Sequence, residues 1–261
     1  RDRDWLSRRA RPLAALALLA VAVVAGVILL GGSGDKKVSG QRIAGKLGPV
    51  PTNQVTGSGQ ATLRLDGTKL TVAVNSAGLL DGAPHALHIH AGGKGICPPA
   101  SAASLHNGHQ SIATHAGAPF YGPPVTALTT RGDTSVDSII AFNRYPKTSD
   151  VAYRRTITIK PIVASYLRKD NAVVVIHGID YNHNGVYDGV LERSDLDRSL
   201  TGESTAPGLC GPLVADKASA PKQTAQARPG TSGRFVAALS SVTGALYCRL
   251  PAGTRAASPP A

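Results

Sequence analysis

The chain has 261 residues, of which 42% are hydrophobic, 4% aromatic and 17% charged, with 29 Gly, 18 Pro and 3 Cys. That composition suits one domain of ordinary size with extensions and excludes both a disulfide-dense miniprotein and a wholly disordered chain. The net charge of +12 suggests a nucleic-acid binder, but the excess sits at the ends: residues 1–11 carry +3, residues 217–261 carry +6, and residues 35–216 keep only +3. A charge so dispersed through the middle leaves no stripe of cations to track phosphates, so no nucleic-acid partner is expected.

In chain order, 1–12 is a basic segment and 13–30 is an unbroken run without a polar or charged side chain. As a helix that run would span about 27 Å, close to the apolar thickness of a bilayer. The arginines before it predict a cytoplasmic start and an exported remainder, hence a single-pass membrane protein with an extracytoplasmic domain. Ala20-Val21-Ala22 offers a signal-peptidase site, but the apolar run continues to Leu30, which favours an uncleaved anchor. Residues 31–56, rich in Gly, Ser, Lys and Pro, read as a linker.

From there period-two alternation begins. Residues 60–65 and 70–75 alternate around Asp66-Gly67-Thr68-Lys69, a hairpin signature, and further strands are expected at 85–91, 138–142, 155–160 and 172–177. Helices are expected only at 162–169 and 193–200. Short strands between Gly, Pro and Asp turns predict an all-β Greek-key sandwich or barrel over 57–215. Residues 216–261 read as a basic low-complexity tail, fit to meet an anionic envelope polymer or to stay solvated.

All eight histidines fall between residues 85 and 183. On a strand, Leu87 and Ile89 would face the core, while His88 and His90 would share the other face, where two imidazoles one strand step apart can chelate an ion. Asn171-Ala-Val-Val-Val-Ile-His177 reads as a buried strand delivering an imidazole at the sheet rim. His106, His109 and His115 lie between, in a polar loop that gives them no packing role. Imidazole clusters suit copper or zinc, and a chain without methionine or paired thiols lacks a soft sulfur site.

His88-Ile-His90, a Gly-rich turn with Cys97, a histidine loop, Val-Val-Ile-His177-Gly and Leu209-Cys210-Gly211 together resemble the extracytoplasmic Cu,Zn superoxide dismutases over residues 55–215. The resemblance implies copper on His88, His90 and His177, with His106 as the catalytic imidazole bridging copper to zinc and superoxide as substrate. It also implies a Cys97–Cys210 disulfide, of a kind that persists outside the cytosol. His109 and His115, with Asp133 or Asp137, would complete the zinc site. The family places an arginine three residues before the second cysteine to guide the anion, and here that position is Pro207; Arg131, Arg144 or Arg193 would have to serve instead. Chordin-like domains carry a similar His-Ile-His strand and offer the non-enzymatic alternative, a metal-holding or adhesion module.

Two further motifs compete with blander readings. Asp180-Tyr-Asn182-His-Asn184-Gly185-Val-Tyr-Asp188 is similar to the first half of a calcium loop, but Leu191 stands at the place of the bidentate Glu and Glu192 one beyond, so an Asn-Gly turn capped by Asp side chains is the other reading. Arg131-Gly132-Asp133 spells an adhesion tripeptide of the sort that arises by chance. No nucleophile elbow, phosphate loop or dinucleotide fingerprint is present, which leaves serine hydrolases and nucleotide enzymes without support.

Overall fold

The computed structural model describes residues 40–220; the apolar run 13–30 and residues 221–261 of the basic tail lie outside them. Eleven strands are described: β1 (Gln41–Pro49), β2 (Ser58–Asp66), β3 (Lys69–Ala77), β4 (Leu87–Ala91), β5 (Ser104–His106), β6 (His109–Ser111), β7 (Pro124–Ala127), β8 (Val151–Thr158), β9 (Ala172–His177), β10 (Pro207–Pro212) and β11 (Val214–Ala215). Nine of them form one sheet in the order β7-β4-β9-β10-β1-β2-β3-β8, with β11 also on β1, while β5 and β6 form a separate hairpin. The pairings are antiparallel. The sheet curls into a half-barrel, and the fold is all-β.

Alternation gives the curled sheet its inner face. Ala61, Leu63 and Leu65 of β2, Leu70, Val72 and Val74 of β3, and Leu87 and Ile89 of β4 all point into one shared core. β9 is buried along its whole length because both its faces are covered. Val174 and Ile176 enter the main core, whereas Val173 and Val175 meet Ile112, Tyr121, Val50 and Cys210 on the outer side. The two ends of the sheet are tied through a loop: Arg155 on β8 donates to the carbonyls of Thr129 and Gly132, just after β7.

β1 lies inside 31–56, the stretch read as a linker, and pairs with β2 over seven residues from Gln41 to Leu47; Ile43 and Leu47 are its core-facing residues. The stretch 138–142 is not a strand but joins two short 3-10 turns, Val136–Ser138 and Phe142–Arg144. The strand expected at 155–160 begins earlier, at Val151, and ends at Thr158. No helix forms at 193–200, where Arg193 instead bridges to Thr201 and a single turn follows at Gly202–Thr205. The first tail residues belong to the domain, because Lys217 pairs with Asp170 at 2.7 Å and Ser219 accepts from the Arg42 amide. The helix at Pro161–Arg168 matches the expectation, and a second helix, Thr114–Tyr121, lies in the histidine loop. Among the described residues no helix is long and apolar enough to cross a membrane.

Candidate metal centre

β4 and β9 are hydrogen-bonded neighbours, with His88 opposite Val175 and Leu87 opposite Ile176. His88 and His90 project from the face opposite Leu87 and Ile89, the same face that carries Val173, Val175 and His177 on β9. Three imidazoles thus meet at one rim of the sheet, and their ligand atoms lie within 4.8 Å of one another. They are only 4%, 1% and 3% exposed, so water does not satisfy them.

The hydrogen bonds fix which nitrogen of each ring is free. A carbonyl can only accept, so each ring must present an N–H to its carbonyl partner. His88 donates from Nε2 to the Ile139 carbonyl (2.9 Å), His90 from Nδ1 to the Gly122 carbonyl (2.9 Å) and His177 from Nδ1 to the Thr205 carbonyl (2.7 Å). What remains is His88 Nδ1, which is buried without a hydrogen-bond partner, and the Nε2 atoms of His90 and His177, which face each other at 3.3 Å. Protons do not resolve the confrontation easily, because burial lowers all three pKa values. His88 lies well below the ordinary range, with His177 and His90 lowering it further; burial and then His177 take His90 down to about 3, and burial takes His177 down to about 4. Three lone pairs therefore converge in a buried site, an arrangement that a Lewis-acidic cation satisfies.

Aromatic and backbone supports hold the rings. Tyr121 packs edge-on against His90 at 4.6 Å between centroids, and Tyr145 stands edge-on to His88 at 5.7 Å. Tyr145 donates its hydroxyl proton to the Ser138 carbonyl while its oxygen lies 3.1 Å from His88 Nε2. Behind His177, buried His85 contacts the Leu80 carbonyl and the Tyr187 hydroxyl. Gly178 adopts φ +99°, and a Cβ there would collide with the Tyr187 ring, so the turn after His177 needs glycine.

The structure brings together His88, His90 and His177 and does not bring His106 to them. His106 sits on the β5–β6 hairpin, hydrogen-bonded to Ser104 Oγ at 3.0 Å. The residues expected to complete a zinc site are also dispersed. His109 stands edge-on to Tyr181, His115 lies 3.6 Å from Asp195, and Asp133 is held elsewhere by Ser138 and Ser135, whose hydrogen bonds lower its pKa to about 2. Asp137 lies inside the 3-10 turn that Ser135 caps, its amide donating to Ser135 Oγ. Among the described residues the triad is the one group of three or more potential ligands close enough to share an ion. Those hydrogen bonds also direct the Asp133 carboxylate of the Arg131-Gly132-Asp133 tripeptide into its own loop.

The acids of the 180–188 segment are hydrogen-bonded within their own loop. Asp180 accepts from the Asn184 and Gly185 amides, and Asp188 accepts from the side chains of Asn182 and Asn184 and from the Val190 amide. Glu203, which belongs to no motif, is fully buried and accepts from the Tyr181 and Asp188 amides; burial raises its pKa to about 7.

Cys97 and Cys210 form a disulfide across 113 residues, fastening the loop after β4 to β10. Pro207 pairs directly with His177 across β10 and β9 and is buried there. The candidate arginines are engaged or turned elsewhere: Arg144 donates to the Asp133 carbonyl and Ser138 Oγ, Arg131 to the Asn143 carbonyl, and Arg193 lines a separate polar cleft with His106, Asp195 and Arg198. No protein-family model and no curated protein sequence matches this chain.

Proposed function

We propose that this protein is an extracytoplasmic metal-holding domain, tethered by residues 13–30, in which His88, His90 and His177 hold a copper ion. The supporting observation is the convergence of three buried imidazole lone pairs, each ring fixed in the required tautomer by a backbone carbonyl. An all-imidazole set without carboxylate or thiolate suits copper or zinc, and copper binds nitrogen donors more tightly. The Greek-key architecture of the Cu,Zn superoxide dismutases is the reading that best accommodates the His-x-His strand, the distant third histidine and the Cys97–Cys210 link.

Bound copper would supply a one-electron redox centre. The chain's own residues supply the rest: the Ile139, Gly122 and Thr205 carbonyls orient the rings, Tyr121 and Tyr145 block their rotation, and burial keeps them unprotonated. Superoxide turnover is the less favoured reading, because His106 is held away from the triad and Pro207 stands where a guiding cation would be needed. Electron paramagnetic resonance of the copper(II)-loaded full chain tests the assignment. The expected spectrum shows hyperfine coupling to three imidazole nitrogens that is lost in His177→Ala; a spectrum unchanged by that substitution would place the ion elsewhere.

A further inference from the structure

The triad opens onto a cleft of about 40 Å³, enough for a ligand of two or three atoms when a single water occupies roughly 10–15 Å³ on the same measure. Its outer wall is apolar: Ile139, Ile140, Phe142 and Leu196, with Pro124 beside them. Lys, Arg, Asp and Glu are absent from the lining. Three hydroxyls reach the cleft, yet each already donates elsewhere: Thr114 to the Thr205 carbonyl, Ser204 to the Thr201 carbonyl and Thr205 to Ser194 Oγ. The ring N–H groups of the triad are spent on carbonyls as well. The cleft thus presents no free side-chain donor and no cation to an incoming ligand.

We infer that this cleft admits small uncharged molecules of diatomic size to the metal held by the triad and turns anions away. The inference rests on the metal-holding reading and adds its ligand class. An anion entering here would shed its hydration without gaining a hydrogen bond, leaving only the ion's charge to attract it. The adjoining polar cleft, which shares Thr114 and Thr205 with this one, sets Glu192 and Asp195 beside Arg193 and Arg198, so its charges offset and it adds no net pull on an anion. An uncharged diatomic has little hydration to lose and finds an apolar wall.

The test uses the full chain, loaded with copper and assayed for copper per chain before any ligand is added. Carbon monoxide is titrated into the reduced protein and followed by its infrared stretch, and azide into the oxidised protein and followed by electron paramagnetic resonance. Carbon monoxide should saturate at about one per copper, whereas azide at about 10 mM should leave the spectrum unchanged. Ile140→Lys, at a rim position 43% exposed, should lower the azide concentration needed for half-saturation at least about tenfold and leave copper content intact. Azide binding to the unmodified protein at or below about 10 mM, or failure of carbon monoxide to bind a site with full copper content, overturns the inference and leaves the metal-holding reading standing. A chain that retains no copper overturns both.

Discussion

At the residue scale the decisive property is tautomer. His88 must present Nδ1 whereas His90 and His177 must present Nε2, and the carbonyls of Ile139, Gly122 and Thr205 enforce this from three separate segments. Removing a ligand and removing a support should therefore differ in kind. His177→Ala should abolish stoichiometric copper binding in a competition titration with a chelator. Tyr145→Phe should weaken it by no more than about tenfold, because His88 Nε2 keeps the Ile139 carbonyl. Equal losses in the two variants would show that Tyr145 is not a secondary support. His88 and His90 were legible as a pair because strands write themselves in period two: Leu87 and Ile89 inward force the two histidines outward together. The supports were not, since a backbone carbonyl has no side-chain signature, and the ring directions of His106, His109 and His115 depend on loop geometry that composition does not encode.

At the scale of elements, two fastenings hold the loops around the site. The Cys97–Cys210 bridge closes 113 residues, and in chain-entropy terms such a loop is worth about 4–5 kcal/mol. Replacing both cysteines by serine should lower the midpoint in a urea titration by a corresponding loss of about 2–5 kcal/mol; an unchanged midpoint would mean the loop is restrained equally well without the bridge. Glu203 holds the 180–188 turn from beneath through the Tyr181 and Asp188 amides. Its folded pKa of about 7 stands above the usual carboxylate value of 4.5, so the folded state binds the proton more tightly. That contribution is fully present below pH 4.5 and is lost as pH rises to about 7. Relative to Glu203→Gln, the unmodified protein should therefore lose about 1–3 kcal/mol between those limits, measured by denaturant unfolding at each pH. A constant difference between the two proteins would contradict it.

The elements themselves were readable to different degrees. β2, β3 and β9 stand out because their apolar residues alternate or run unbroken, and the helix at Pro161–Arg168 starts on a proline that fits the first turn. β1 and β10 were obscured by residues that normally mark turns: Gly45, Gly48 and Pro49 in one, Pro207, Gly208, Gly211 and Pro212 in the other. Both are made strands by their neighbours in the sheet, since Gly48 and Pro49 pair with Cys210 and Leu209. Close packing is part of the reason for the glycines, because a Cβ at Gly211 would strike the Lys46 carbonyl.

For the whole molecule, an ion that binds the folded site and not the unfolded chain must stabilise the fold by mass action. The most direct measurement is thermal unfolding of the full chain with and without one equivalent of copper(II), together with copper retained per chain after gel filtration, for the unmodified protein and for the His88→Ala, His90→Ala double variant. The account predicts about one copper retained and a raised midpoint in the unmodified protein, reversed by a chelator, with neither effect in the variant. Equal copper retention and an equal midpoint shift in both proteins would contradict it, because the ion would then be held by residues other than the buried triad.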